Sequence, residues 1–222
     1  MFSSILYKEW LKIRRYLVIA FLLNLAVFSY LFISLRHLFV IEHAEMIWYQ
    51  AFEIGTLHYT LIKYLSIITG IIIGAAQFIP EMIGHRFRLS LHLPVKPNAL
   101  ALWSVLIGLF AVAFIGILDA FSIYAIISIY FPHEAAMSAL LTAIPWLWAG
   151  VVAYLGIALT AFEPQLSRKL VYLLITGGFL WLFYQSNDYE SYNIAIWRLV
   201  ALSLLFIPSV ILPAYRFRNR SS

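Results

Sequence analysis

Three charged residues stand in the interior of long apolar runs: Lys63, Asp119 and Arg198. A charge held at mid-helix in a bilayer costs about 2.5–3.5 kcal/mol on insertion scales, so such groups pair, reach for headgroups or line a polar cavity. Counting about 1.5 Å per helical residue places all three at similar heights, near one membrane face. Asp119 is therefore expected to pair with Lys63 or Arg198 close to an outer gate. The alternative is that both cations simply extend to the outer headgroups. Metal chemistry has weaker support. His37, His43, His58 and His133 have Glu42, Glu45 and Glu134 near them, but no pair has H-E-x-x-H or finger-type spacing, and no metal site is expected. Hydrolytic signatures are equally missing, with no G-x-S-x-G and no Cys, and Asp119 as the one acid inside a run.

Two further clusters could do mechanical rather than covalent work. Residues 80–98 begin with Pro80-Glu81, carry Arg86, Arg88, Leu89 and Leu91, and close with Pro94 and Pro97, which end any helix there. A short amphipathic element joined rigidly to two membrane spans is what a lever needs, although a plain basic loop would fix topology equally well. At the N-terminus Lys8, Lys12 and Arg15 fall at spacings of four and three and share one helical face, with Phe2, Ile5, Leu6, Trp10 and Ile13 marking an apolar side. That pattern predicts a short helix over 1–15 lying in the headgroup plane, its basic face towards anionic lipid.

The elements that must position these groups follow from composition. Of 222 residues, 64% are hydrophobic and only 11% charged, against roughly 25% charged in an average soluble domain. Too little polar surface exists to cover a water-soluble body, and the mean hydropathy of +0.90 agrees. Apolar runs at about 16–35, 59–79, 99–130, 135–162, 169–186 and 194–214 are each about long enough for a hydrocarbon core of roughly 30 Å. They are continuous rather than alternating, which excludes a membrane barrel. The expectation is an all-α polytopic membrane protein of six transmembrane helices in one domain, preceded by an interfacial helix. Gly70 and Gly74 form a small-xxx-small pair in the second run, suited to a close helix contact within the chain or between copies. Trp48, Tyr49, Tyr59, Trp103, Tyr130, Trp181, Tyr184, Tyr189 and Trp197 lie near predicted interfaces, as in an aromatic belt.

Assigning the loops alternately sorts the charges. Lys8, Lys12, Arg14, Arg15, Arg86, Arg88, Lys96, Arg168, Lys169, Arg216, Arg218 and Arg220 fall on one side, twelve of the 15 Lys and Arg. Glu42, Glu45, Glu53, Glu134, Asp188 and Glu190 fall on the other, six of the ten acids. The positive-inside rule then puts both termini in the cytoplasm, which requires an even number of spans. The net charge of +5 is thereby a topology signal and calls for no nucleic-acid partner.

The layout resembles the permease subunit of ABC-2 type transporters, a family with six spans per permease. The stretch from Tyr7 to Arg15 is similar to that family's basic interfacial helix. Glu81, Gly84, Leu89, Leu91, Pro94, Val95 and Lys96 follow the family's order between spans two and three, with Gly84 one position early and His85 where a Thr is usual. The likeness in layout covers nearly the whole chain; the residue-level motif covers about 81–97. It implies an exporter in the bacterial inner membrane, paired with a second copy or a related permease. It also implies a coupling element at 81–97 docked on a separate ATPase subunit, with Glu81 meeting a basic residue there and the leucines filling a groove. ATP and Mg would reside on that partner, since this chain has no G-x-x-x-x-G-K-[ST] loop. This chain itself would then carry no enzyme activity and no cofactor. The rival readings are a membrane-embedded lipid-modifying enzyme and an assembly protein that transports nothing.

Overall fold

The computed structural model describes residues 2–83, 97–186, 188–213 and Arg216. Within them every regular element is helical, as a bilayer demands of a chain whose backbone must satisfy its own hydrogen bonds. Helix α1 runs over Phe2–Ile41 and α2 over Ala44–Phe52. A 3-10 turn at Thr60–Tyr64 leads into α3, Leu65–Met82. Then come α4, Pro97–Tyr130; α5, His133–Phe162; and α6, Leu166–Leu182. Two short helices follow, α7 at Ile196–Leu204 and α8 at Phe206–Ser209.

Among the described residues, five stretches are long and apolar enough to cross a membrane: Ile5–Ile41, Thr60–Met82, Ala99–Tyr130, His133–Phe162 and Ile196–Pro213. The chain is a membrane-embedded helical protein. The run expected at 169–186 forms α6, whose 17 residues stop at Leu182, where Phe183 N–H and Tyr184 N–H bond back only three residues to Leu180 O and Trp181 O. That tightening ends the helix short of the expected span.

The expected boundary at residue 15 is also absent as a break. Helix α1 is continuous for 40 residues, about 60 Å at 1.5 Å per residue. No Gly or Pro occurs before Gly55, so nothing in the backbone turns residues 1–15 away from the following run. Similarly, Pro80 does not open a loop. It sits inside the last turns of α3, and the helix continues through Glu81 to Met82. At the other side of residues 84–96, Pro97 begins α4, the helical position where a missing N–H costs nothing.

Helix α5 is the centre of the bundle, packed most extensively on α3 and α4, then on α6. Its inner half is buried almost continuously from Ala149 to Leu155. The α3–α5 crossing is close because two glycines meet. A Cβ on Gly70 would overlap the carbonyl of Gly150, and a Cβ on Gly150 would overlap that of Ser66. The Gly70/Gly74 pair thus serves contact within the chain, Gly74 lying against Ile157 and Tyr154. Two apolar clusters stack along the bundle axis. One centres on Ile73, Phe78, Tyr154 and Phe162; the other centres on Leu35, Tyr59, Ile127 and Trp146.

Candidate functional site

Polar side chains from four helices converge where α1 begins, α3 ends and α4 begins. Lys8, Glu9 and Lys12 come from the first turns of α1, Gln77 and Glu81 from the last turns of α3, Ser104 from α4 and Tyr154 from α5. The positions follow from helical spacing. Lys8 and Lys12 are four apart, as are Gln77 and Glu81, so each helix presents a two-residue polar stripe that matches the other.

The contacts are mutual. Lys12 Nζ donates to Glu9 Oε1 at 2.7 Å and to Glu81 Oε1 at 2.6 Å, and Lys8 Nζ reaches the same Glu81 oxygen at 2.6 Å. The Gln77 amide donates to Glu9 Oε2 at 2.8 Å and to the backbone carbonyl of Ser104 at 2.6 Å. Its own Oε1 accepts from the Tyr154 hydroxyl at 2.8 Å, whose single proton is shared with Val105 O at 2.9 Å. Ser104 Oγ donates a longer bond, 3.5 Å, to Glu9 Oε1. A Cβ on Gly108 would collide with Gln77 Oε1 and the Tyr154 hydroxyl, so glycine is needed where amide and phenol meet.

Burial makes this cluster consequential. Glu9, Gln77, Glu81, Ser104 and Tyr154 are all 4% exposed or less. Charges removed from water cost several kcal/mol each unless paired and hydrogen-bonded. Here two ammonium groups face two carboxylates, and Gln77 and Ser104 fill remaining valences of Glu9. The result is a closed electrostatic knot that fixes α1, α3, α4 and α5 relative to one another at one end of the bundle. A second pair lies at the same end. Glu163, 1% exposed and just past α5, accepts from Arg216 at 3.1 Å, which returns the segment beyond α8 to the start of α6.

The placement of the expected site residues is mixed. Glu81, expected to meet a base on a partner subunit, is paired within the chain by Lys8 and Lys12, because α3 carries it inward instead of releasing it into a loop. Lys12 is largely covered by this pairing, whereas Lys8, with a side chain 43% exposed, and Arg15 remain exposed. Arg86, Arg88, Leu89, Leu91 and Pro94, with the neighbouring Gly84, His85, Val95 and Lys96, lie outside the described residues.

The three charges within the apolar runs have different surroundings. Asp119 is 2% exposed and its Oδ2 has no hydrogen-bond partner among the described residues; none of the ion pairs found there joins it to Lys63 or Arg198. Lys63 instead sits among aromatic faces. Its Nζ lies 5.8, 6.0 and 5.5 Å from the ring centres of Tyr64, Trp146 and Tyr184, a cation–π setting for an ammonium. Arg198 is exposed on α7. Of the residues expected in an aromatic belt, Trp48, Tyr49, Trp181 and Trp197 are exposed, but Tyr59 is buried at 4%.

Sequence reasoning passed over Glu9, Gln77, Ser104 and Tyr154. Gln77 is the readable one: an amide in an otherwise apolar run, four residues before an acid, facing a helix whose bases have the same spacing. Comparison with protein families, with curated proteins and with solved structures returns no match for the chain.

Proposed function

We propose that the chain is the membrane-spanning permease subunit of an ATP-driven transporter, moved through residues 84–96 by a separate ATPase subunit. The observation that carries this reading is the bracing of Glu81, one helical turn before that segment, by Lys8 and Lys12 of α1. Force applied beyond Met82 enters a helix end that is bolted by buried charge to α1. Through Gln77 it passes to α4 and α5. An unbraced helix end would bend and dissipate it. On this reading α6 completes a sixth pass, both termini face the cytoplasm of a bacterial inner-membrane protein, the first turns of α1 project from the bilayer, and a second permease completes the transporter. Cargo is exported, and nucleotide and Mg stay on the partner.

The test is purification of the tagged chain from its source membrane in mild detergent. A co-purifying subunit that hydrolyses ATP is expected. Leu89→Asp with Leu91→Asp should release it while the spans stay folded. Glu81→Gln should keep the partner bound but uncouple ATP hydrolysis from transport. A chain that retains no ATP-hydrolysing partner under several extraction conditions overturns the reading.

A further inference from the structure

The end of the bundle away from the buried charges holds a cavity of about 270 Å³. Six pieces of chain enclose it: Leu35 of α1, Ala51 of α2, His58 and Tyr59 ahead of α3, Ile127 of α4, Ala139 of α5, and Tyr189 from the segment after α6. No Lys, Arg, Asp or Glu is among its described lining residues. It is nearly twice the ~150 Å³ of an apolar protein cavity that takes benzene and stays free of water, and so has room for about ten non-hydrogen atoms.

Two polar groups in this wall are unanswered. His58 Nε2 and the Tyr59 hydroxyl are both buried without a hydrogen-bond partner among the described residues, and Tyr59 is only 4% exposed. Leaving a buried donor or acceptor without a partner is costly, and two on consecutive residues of one cavity wall ask for a common ligand. Burial drives the His58 imidazole below its ordinary pKa, with Glu42 opposing in part, so the ring is neutral and keeps an acceptor nitrogen. Burial and then the nearby Tyr189 push the Tyr59 phenol up, opposed by its side-chain contact with Thr142. The Thr142 hydroxyl already donates to Ser138 O and accepts from Glu190 N–H, so the phenol remains a donor open to a ligand oxygen.

We propose that this cavity is a binding site for an uncharged amphiphile, an aliphatic body of about eight to ten carbons bearing a hydroxyl group. The aliphatic part fills the Leu35, Ile127 and Ala139 lining. The hydroxyl oxygen accepts from Tyr59, and its proton goes to His58 Nε2; in the other imidazole tautomer it accepts from both. An alkane satisfies neither group. A carboxylate meets no cation in the lining and is repelled by Glu42, close enough to act on His58. The site stands whether or not an ATPase drives the chain.

The experiment uses the full chain in lipid nanodiscs with an eight-carbon alcohol carrying a mid-chain diazirine. Photolabelling should be saturable on peptides containing Leu35, Ile127 or Ala139. 1-Octanol should compete at least fivefold better than n-octane or octanoate. Tyr59→Phe, which keeps the ring packed on Trp146 at 6.0 Å, should weaken this labelling at least fivefold and leave labelling of lipid-facing α6 unchanged. Ala139→Phe should abolish it by filling the space. Native mass spectrometry assigns the source: a hydroxyl-bearing lipid displaced by 1-octanol identifies a membrane component, and 1-octanol uptake without lipid loss identifies a small alcohol from solution. Both support the site. Labelling that ignores both substitutions, or that n-octane competes equally, overturns it and leaves a cavity holding solvent or bulk lipid only.

Discussion

Gly70 and Gly150 face each other across the α3–α5 crossing so closely that neither tolerates a Cβ without moving a backbone carbonyl. In a membrane, where lipid is as apolar as a leucine core, this kind of approach supplies packing that the hydrophobic effect does not. Gly150→Ala and Gly70→Ala are each expected to destabilise the chain by about 1–3 kcal/mol through forced separation of the helices. Gly116→Ala, at a glycine whose added Cβ would meet nothing within 4 Å, is expected to be neutral or slightly stabilising. Unfolding in mixed micelles by detergent titration ranks the three. Equal stability of Gly70→Ala and Gly116→Ala would mean that the crossing is looser than described.

The two lysines that hold Glu81 are not equivalent. Lys8 has a side chain 43% exposed and pairs with Glu81, whereas that of Lys12 is 18% exposed and bridges Glu9 and Glu81. Truncating an exposed partner costs about 0–1 kcal/mol, while removing the partner of buried carboxylates costs about 3–5 kcal/mol. Lys12→Ala should therefore lower the midpoint of thermal unfolding by far more than Lys8→Ala. A double-mutant cycle between Lys12 and Glu81 should return a coupling of about 0.5–3 kcal/mol. No coupling would remove the brace from the mechanism.

Asp119 makes the opposite prediction. Its Oδ2 is buried without a hydrogen-bond partner among the described residues, so replacing the carboxyl by an apolar group of similar size removes a desolvated polar atom and leaves none of them orphaned. Asp119→Leu is expected to unfold at equal or higher detergent fraction than the parent. A clear loss of stability would reveal a partner for Asp119 and revive its pairing with Lys63 or Arg198.

The acid limb of stability should carry a signature of His58. Burial lowers its pKa in the folded chain, so from about 6.5 downward the unfolded chain binds a proton that the folded chain resists. The contribution of the neutral ring is complete above about pH 6.5 and is lost as pH falls towards the lowered folded value. Between pH 7.5 and 5.5 the unfolding temperature should drop more for the parent than for His58→Phe. Parallel behaviour of the two would place His58 in contact with water.

Most of the fold was legible because a bilayer leaves the backbone few options. The runs at 99–130 and 135–162 became α4 and α5 almost residue for residue. The continuity of α1 was legible too, in the lack of Gly and Pro before position 55, but a change in side-chain character at residue 15 was read as a change in direction. Helix α2 escaped notice because nine residues of mixed polarity carry no membrane signal. The buried knot was half visible. Lys8, Lys12 and Glu81 stood out as charges, but their use was assigned to lipid and to a partner, since a single chain of letters does not say which helices become neighbours. Tyr154 was hidden for the opposite reason: a phenol in a run of apolar residues looks like packing until Gln77 is found against it. His58 and Tyr59 read as loop and belt residues, and only the convergence of six chain segments turns them into a cavity wall.

The pairing of Glu163 with Arg216 bears on how the molecule is made. The acid is synthesised 53 residues before the base that neutralises it, a delay of about 3–10 s at ordinary translation rates. Until then the carboxylate has, among the described residues, only the Gln165 N–H, at 3.4 Å, to offset its removal from water. Full neutralisation of the buried acid therefore requires a base that is made only after α6, α7 and α8.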